Sequence, residues 1–335
     1  MKSPQGTWVA KAHSYDISGN ILTAELTTDS GSFNKTSIVF YKDVIYEASN
    51  GNFTISDCKN TIFICPENQL GNCLRSIVSG FIIAKYFGYN VYIDYEHALN
   101  KCKVKENKQM LTLFGNYCIM KTNTVYRKLE YITHVTYDRF FPTNYDLVNE
   151  GRLLINPGGN FAITNTIYSI IPGFMPEEDY IREKIGFYRA VKFPDFLRIR
   201  VHDFLEKHDL STFVGFHIRY TDNLDDESKN NLQTPFDEFV NKLKDYDRVF
   251  LCSDNKQVLE ICQGLKSGNL LIADLVEDAD FQPLYEMMLL SHTKKIIGSN
   301  SSTFSYEAAF FRGTDIELYE NGCWFTHPLS LFSVS

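Results

Sequence analysis

Short buried strands alternate with helices through the last third of the chain, and this alternation constrains the fold more than any other feature. Apolar runs of strand length occur at 213–218, 249–252, 270–272, 295–298 and 316–319. Helical patterns separate them at 235–243, from 256 to about 265, at 284–290 and at 304–311. Strands that alternate with helices in this way pair in parallel. The sequence therefore predicts a doubly wound α/β domain.

A second βαβ unit is predicted earlier in the chain. The strand TIFIC (61–65) is followed by the loop PENQLGN, by a helix that ends at Gly88, and by the strand VYID (91–94). With 335 residues the chain is too long for one ordinary core. We therefore expect two Rossmann-like domains, 58–180 and 181–335, that face a cleft. Ligands of such sheets bind outside the carboxyl ends of the strands.

Residues 1–57 have a different pattern. Leu22, Ala24 and Leu26 alternate with polar neighbours, and turn pairs such as Gly19-Asn20 and Asn50-Gly51 separate the short runs. This pattern is typical of three or four antiparallel strands. The fold class predicted for the whole chain is thus α/β, with a small antiparallel β module in front of the two larger domains.

Charge and hydropathy exclude several classes of protein. The formal net charge of −8 argues against general nucleic-acid binding, and no run of about 20 apolar residues predicts a membrane span. The first residues lack the apolar centre of a signal peptide. The eight cysteines form no CxxC pair, which favours free thiols. We therefore expect a cytoplasmic protein without nucleic-acid partners.

Three polar segments follow strands of the C-terminal domain: HIRYTD after 213–218, SDN after 249–252, and SNSSTFS after 295–298. The serines of the last segment precede the helix that begins near Phe304, so they either cap that helix or help to bind an anion. Arg219 adds a planar, permanently charged donor. Together these residues predict a phosphate site.

The same segments resemble the fucosyltransferase superfamily of two-domain (GT-B) glycosyltransferases, which includes α1,2-, α1,6- and protein O-fucosyltransferases. The signature H-x-R-x-x-D of that family matches His217–Asp222. The resemblance implies that Arg219 contacts the β-phosphate of GDP-fucose and that Asp254 faces the guanine or the ribose. It also assigns a donor-binding role to a larger set of residues: His217, Ser301, Ser302, Thr303 and Phe304.

The resemblance covers about residues 60–325 and extends to the first α/β domain. The family's G-x-G-N loop is similar to NQLGNC, which implies that Asn72 faces the sugar. A catalytic base is needed for the acceptor hydroxyl, and we expect Glu67 in the loop PENQLGN, with Asp222 as the alternative. Many relatives have a second arginine where this chain has Tyr220, so the acceptor linkage stays open.

The function implied by the resemblance is inverting transfer of fucose from GDP-fucose to a glycan or protein hydroxyl, without a cofactor. The D-x-D at Asp278–Asp280 is a metal motif in other glycosyltransferases, but here it lies in an acidic loop typical of solvent exposure. Two alternatives remain open. One is a transferase for another nucleotide sugar, and the other is a carbohydrate-binding protein with a degenerate transferase body.

The β module is similar to one repeat of the cyanovirin-type lectins. The similarity rests on positions such as Ile17, Gly19, Leu22 and Phe53. Such lectins normally carry two repeats, whereas this chain has one copy and lacks their cysteines. The module is therefore expected either to bind glycans or to serve as a structural addition that joins two chains in a homodimer.

Overall fold

The computed structural model describes residues 4–42, 44–58, 61–64, 66, 68–121, 175–220, 234–266, 268–300, 302–320 and 322–333. The chain divides into two compact units, Met1–Glu177 and Glu178–Ser335. Within the described residues each unit contains a six-stranded β-sheet, and the first also contains a three-stranded sheet. The mixed α/β fold class expected from the sequence is confirmed.

The N-terminal segment forms six strands: β1 (Gln5–Gly6), β2 (Ala12–Ser18), β3 (Ile21–Thr27), β4 (Phe33–Val39), β5 (Val44–Ser49) and β6 (Asn52–Cys58). β2, β3 and β4 make an antiparallel meander. β5 and β6 make a hairpin that turns at Asn50 and Gly51, whose φ angles are 44° and 73°. A tight hairpin turn needs such left-handed values, which is why the pair Asn-Gly marks it in the sequence.

The hairpin belongs to the same sheet as the first βαβ unit. β7 (Thr61–Ile64), α1 (Leu70–Phe87), β8 (Asn90–Asp94), α2 (Tyr95–Lys101), α3 (Val104–Phe114) and β9 (Cys118–Lys121) follow in order. β6 pairs in parallel with β9, and the strand order is β1-β5-β6-β9-β8-β7. The predicted β module therefore distributes its strands over two sheets, because the meander forms a separate sheet that packs against the α/β sheet, whereas the hairpin extends the α/β sheet.

Buried tyrosines connect the meander to this sheet. The hydroxyls of Tyr46 and Tyr92 lie 2.6 Å apart, and Tyr92 donates to the carbonyl of Val39 at the end of β4 over 2.9 Å. The amide of Tyr41 donates to the Tyr46 hydroxyl over 2.7 Å. Burial raises the pKa of Tyr46 to about 12, so the hydroxyl stays protonated at neutral pH. Hydrogen bonds thus satisfy these polar groups where β4, β5 and β8 meet.

The boundary between the units falls at the first residue of α4 (Glu177–Ala190), and α5 (Asp195–Lys207) follows. The sheet and remaining helices of the second unit are β10 (Val214–Ile218), α6 (Phe236–Lys244), β11 (Val249–Ser253), α7 (Lys256–Leu265), β12 (Leu270–Ile272), α8 (Gln282–Leu290), β13 (Lys295–Gly298), α9 (Thr303–Arg312), β14 (Ile316–Glu320) and β15 (Cys323–His327). The strand order is β12-β11-β10-β13-β14-β15, in which β15 alone is antiparallel. The order reverses between β10 and β13, which makes this edge a topological switch point.

A glycine lets α9 pack closely on this sheet. A Cβ added at Gly298 would lie 2.7 Å from the Cβ of Ser305 and 2.9 Å from Cδ2 of Leu318. A larger side chain would therefore push α9 away from β13. Among the described helices, none combines the length and the apolarity that crossing a bilayer requires.

Candidate functional site

Three polar turns leave the second sheet at the carboxyl ends of neighbouring strands. In the parallel register His217 lies opposite Gly298 on one side and Cys252 on the other. The residues that follow β10, β13 and β11 therefore start from the same edge. This edge is the switch point, where open α/β sheets bind their ligands.

Ser299 joins the turns that follow β10 and β13. Its hydroxyl accepts the backbone N–H of Arg219 over 2.9 Å and donates to the carbonyl of His217 over 3.1 Å. Ser299 is buried. The backbone of Arg219 is therefore fixed directly after the strand, so the Arg219 side chain starts beside the N-terminus of α9.

His217 is buried between β10 and α9. Its Nδ1 lies 2.7 Å from the hydroxyl of Ser305, and its ring stacks on Phe304 with centroids 4.5 Å apart. Burial lowers the pKa of His217 to about 4, Asp254 opposes this shift, and Arg219 adds to it. The imidazole is therefore neutral at neutral pH. It holds the first turn of α9 against the strand rather than supplying positive charge.

The turn after β11 is bonded to the turn after β10. Ser253 donates from its hydroxyl to the carbonyl of Ile218 over 2.6 Å, and the carboxylate of Asp254 accepts the N–H of Tyr220 over 2.9 Å. Asn255 caps α7 by accepting from the N–H of Gln257 over 2.8 Å. Asp254 itself is exposed at this edge.

The start of α9 has the features of an anion site. Ser302 is the N-cap residue, and its side chain makes no capping hydrogen bond. Its hydroxyl is buried and has no hydrogen-bond partner among the described residues. Buried hydroxyls are normally paired, and helix-start amides attract anions. The Ser302 hydroxyl and the backbone N–H groups at the start of α9 can therefore donate hydrogen bonds to the oxygens of a negatively charged ligand.

A buried ion pair anchors the same helix from behind. Lys184 on α4 lies 2.7 Å from Glu307 on α9, and their side chains are 5% and 1% exposed. Tyr188 donates its hydroxyl to the same carboxylate. The Lys184 ammonium also lies 4.2 Å from the centroid of the Phe310 ring. The pairing fixes α9 relative to α4.

The expected site residues fall into three groups. His217, Arg219, Asp254, Ser302, Thr303 and Phe304 share one edge of the second unit. Asn72 lies in the first turn of α1 in the first unit, where its Oδ1 is buried without a hydrogen-bond partner among the described residues. Glu67, Asp222 and Ser301 lie outside the residues that the structure describes.

Motif reasoning does not find three polar residues of the second unit: Thr234, Ser305 and Glu286. Thr234 accepts the N–H of Asn300 over 3.1 Å, and Ser305 contacts His217. Glu286 on α8 receives a hydrogen bond from Gln282 over 2.9 Å. Burial raises the pKa of Glu286. The sequence signal for Glu286 is a carboxyl within the apolar helical run LYEMMLL.

The acidic motif on the loop before α8 has a structural role. Asp278 accepts the N–H of Asp280 over 3.2 Å and caps the short 3-10 helix Ala279–Phe281. One carboxylate of the D-x-D is therefore used in capping.

Comparison with known proteins identifies the fold. No family model and no curated protein sequence matches the chain. The α-1,6-fucosyltransferase NodZ co-crystallized with GDP matches with a TM-score of 0.51 and 18% identity, over 80% of this chain and 98% of NodZ. The chain shares its fold with NodZ. NodZ from Bradyrhizobium gives the same TM-score and identity in a second structure.

A more distant solved structure is a mutant of Arabidopsis thaliana FUT1 in complex with GDP. It covers 79% of this chain and 72% of its own, with 16% identity and a TM-score of 0.49. The fold shared with NodZ agrees with the α/β architecture expected from the sequence.

Proposed function

We propose that the protein is an inverting glycosyltransferase that moves fucose from GDP-fucose to a hydroxyl of a glycan or a protein. The observation that carries this proposal is the junction of Arg219 with the start of α9 at the switch point. Arg219 follows β10, and α9 follows the neighbouring strand β13. A guanidinium beside a helix N-terminus suits a diphosphate, which is doubly charged and has many acceptor oxygens.

Two features support GDP as the nucleotide. NodZ, which shares the fold, was crystallized with GDP. Asp254 follows β11 at the same edge, where its carboxylate can accept N–H or O–H groups of the guanine or the ribose. The neutral ring of His217 adds no second positive charge, so Arg219 and the α9 amides, with Ser301 and Ser302, are proposed to hold the phosphates.

The proposed reaction begins as the bond between the sugar and the β-phosphate breaks. The GDP leaving group gains negative charge, which Arg219 and the start of α9 stabilise. The sugar carbon becomes cation-like, and an acceptor hydroxyl attacks from the opposite face. Because these groups can balance the diphosphate charge, we propose that the reaction needs no metal. Activity that is retained in EDTA would support this point, whereas loss restored by a divalent cation would contradict it.

The acceptor side is assigned to the first unit. We propose that Asn72 contacts the sugar, since its buried Oδ1 is available for a hydrogen bond with a ligand. Glu67 is proposed as the base that removes the acceptor proton, and Asp222 is the alternative.

A donor screen tests the proposal. The wild-type protein is incubated with GDP- and UDP-sugars and with glycan, peptide and small-molecule acceptors, and mass spectrometry detects a transferred sugar. We expect transfer from GDP-fucose and a large loss in Glu67→Gln. Transfer from a UDP-sugar alone would replace the donor assignment. An unimpaired Glu67→Gln protein would shift the base to Asp222.

A carbohydrate-binding role is the second candidate, because the meander exposes aromatic rings. The side chains of Tyr15 and Phe33 are 55% and 56% exposed, and the His13 ring lies 4.7 Å from that of Phe33. Flat exposed rings can pack on the apolar faces of sugars. If this is the function, glycans but not GDP will raise the melting temperature, and Tyr15→Ala will remove the effect. We also propose that the β module joins two chains in a homodimer. Light scattering tests this point, because a homodimer has twice the mass of the single chain.

A further inference from the structure

Two thiols meet in the first unit, next to Asn72. Cys73 lies in the first turn of α1, and Cys102 directly follows α2. Their sulfur atoms are 3.5 Å apart. Cys73 is buried, whereas Cys102 is partly exposed. A disulfide needs a sulfur separation of about 2 Å, so a small rotation of the two side chains would bring the sulfurs into bonding distance.

The backbone holds these thiols in place. Asn68 and Cys102 form an isolated parallel bridge, which connects the turn before α1 to the end of α2. The Cys102 sulfur lies 3.4 Å from the carbonyl oxygen of Pro66, and the Cys73 sulfur lies 3.8 Å from that of Asn68. Both thiols therefore contact the same turn, and the sulfurs are close because two chain segments are already paired.

We propose that Cys73 and Cys102 form a reversible disulfide that fixes the start of α1 to the end of α2. The two thiols become oxidised to one disulfide, and the co-reactant is a small-molecule disulfide such as oxidised glutathione. This small disulfide accepts two electrons and two protons from the cysteines and is thereby reduced to two thiols. The balance therefore needs no further oxidant.

Accessibility gives the order of the two steps. Cys102, the less buried partner, attacks one sulfur of the small disulfide and releases one thiol. Cys73 then attacks the Cys102 sulfur of the mixed disulfide and releases the second thiol. The hydrogen bond with Cys102 and burial both raise the pKa of Cys73, which makes it the poorer first nucleophile. A disulfide of this kind in a cytoplasmic protein would be transient, as a redox-responsive bond is.

The bond would restrain the turn that carries the acceptor-side residues. Asn72 is the neighbour of Cys73 in the first turn of α1, and its Oδ1 has no hydrogen-bond partner in the described part of the chain. Cross-linking limits how this turn can move when a ligand binds. Any effect on turnover rests on the proposed function, whereas formation of the bond does not.

Peptide mapping tests the bond directly. The full chain is incubated with oxidised glutathione, free thiols are alkylated, and a non-reducing digest is analysed by mass spectrometry. We expect one cross-linked peptide pair that contains residues 73 and 102 and that separates after treatment with dithiothreitol. The pair should be absent in Cys102→Ser and present in Cys262→Ala, a matched change of a buried cysteine in the second unit. Alkylation of both thiols, or glutathione adducts without the cross-link, would overturn the proposal.

Thermal unfolding provides an independent readout. Because the cross-link restricts the unfolded chain, the oxidised wild type should melt roughly 5–10 °C higher than the reduced form. Cys102→Ser should show no such difference. A mapped cross-link without a rise in melting temperature would contradict the fixing of α1 to α2. If no sugar donor is turned over at all, the proposed function fails while the mapping result stands by itself.

Discussion

The backbone N–H of Arg219 donates to the hydroxyl of Ser299 over 2.9 Å, although the two residues are 80 positions apart in the chain. The bond joins the turns after β10 and β13 at the point where the strand order reverses. It fixes the backbone of Arg219 beside the helix whose N-cap residue, Ser302, has a buried hydroxyl without a hydrogen-bond partner among the described residues. The two halves of the proposed phosphate site are thus coupled through one serine.

Replacement of Arg219 should abolish most activity. Arg219→Ala removes the charge that stabilises the leaving diphosphate, so kcat/KM for the donor should fall by about a hundredfold or more. Arg219→Lys keeps the charge but loses the planar donor fork, and an intermediate loss is expected. Steady-state kinetics measures both. Arg198→Ala is the control, because this arginine pairs with Asp195 on the exposed face of α5. Near-normal rates in Arg219→Ala would refute the assignment.

Ser302 and Ser299 should separate binding from stability. Ser302→Ala removes a hydroxyl that has no hydrogen-bond partner among the described residues, so the free energy of unfolding should be unchanged or rise by up to about 1 kcal/mol. GDP affinity should fall about tenfold, because a donor to the phosphate is lost. Ser299→Ala loses two hydrogen bonds and should lower the free energy of unfolding by about 1–2 kcal/mol.

Calorimetric titration with GDP and urea unfolding measure these two quantities. If Ser302→Ala destabilises the protein and leaves GDP affinity intact, the hydroxyl has a structural role and the anion site is wrongly placed.

The Lys184–Glu307 pair should be costly to break from one side. Glu307→Gln leaves a buried ammonium without its counter-charge, and the free energy of unfolding should drop by about 3 kcal/mol or more. The double variant Lys184→Met with Glu307→Leu removes both charges and should recover most of this loss, although Tyr188 loses its acceptor. Urea unfolding of four proteins gives the coupling: the wild type, the single variants Lys184→Met and Glu307→Leu, and the double variant. Additive effects of the two single changes would show that the ion pair is not coupled.

His217 should make the protein less stable in mild acid. Its folded pKa is lowered to about 4 from an ordinary value of 6.5, so the unfolded chain binds a proton that the folded chain excludes between these values. The stability is present above pH 6.5 and is lost as the pH falls towards 4. Burial and the nearby Arg312 likewise lower the pKa of His292 to about 4.

Each histidine should contribute a slope of about 1.4 kcal/mol per pH unit in this window. His217→Gln and His292→Gln should each lower the pH slope of the free energy of unfolding by about 1.4 kcal/mol per pH unit. The double variant should lower it by the sum of the two effects. Urea unfolding between pH 4.5 and 6.5 (roughly the titration window) measures the slopes. A slope unchanged in His217→Gln would show that this imidazole is not excluded from protonation in the folded state.

Local sequence determined most of the elements of this protein. The alternation of strands and helices gave the α/β class, since strand and helix periods can be recognised within a few residues. Gly88 ends α1 with φ of 69°, and the pair Asn50–Gly51 closes the hairpin, because left-handed backbone angles select such residues. The polar segments that contain Arg219 and Ser302 were also identified from sequence as ends of strands.

Only the tertiary structure decided which of these pieces meet. The sequence does not show that β13 lies beside β10, that the β5–β6 hairpin joins the sheet of the first unit, or that Cys73 contacts Cys102. It also does not show that Ser305 reaches His217 or that Lys184 pairs with Glu307. Such contacts depend on strand order and on close packing between distant segments, which burial of apolar surface and satisfaction of buried polar groups determine. Local preferences fix the elements, whereas these long-range terms fix their neighbours.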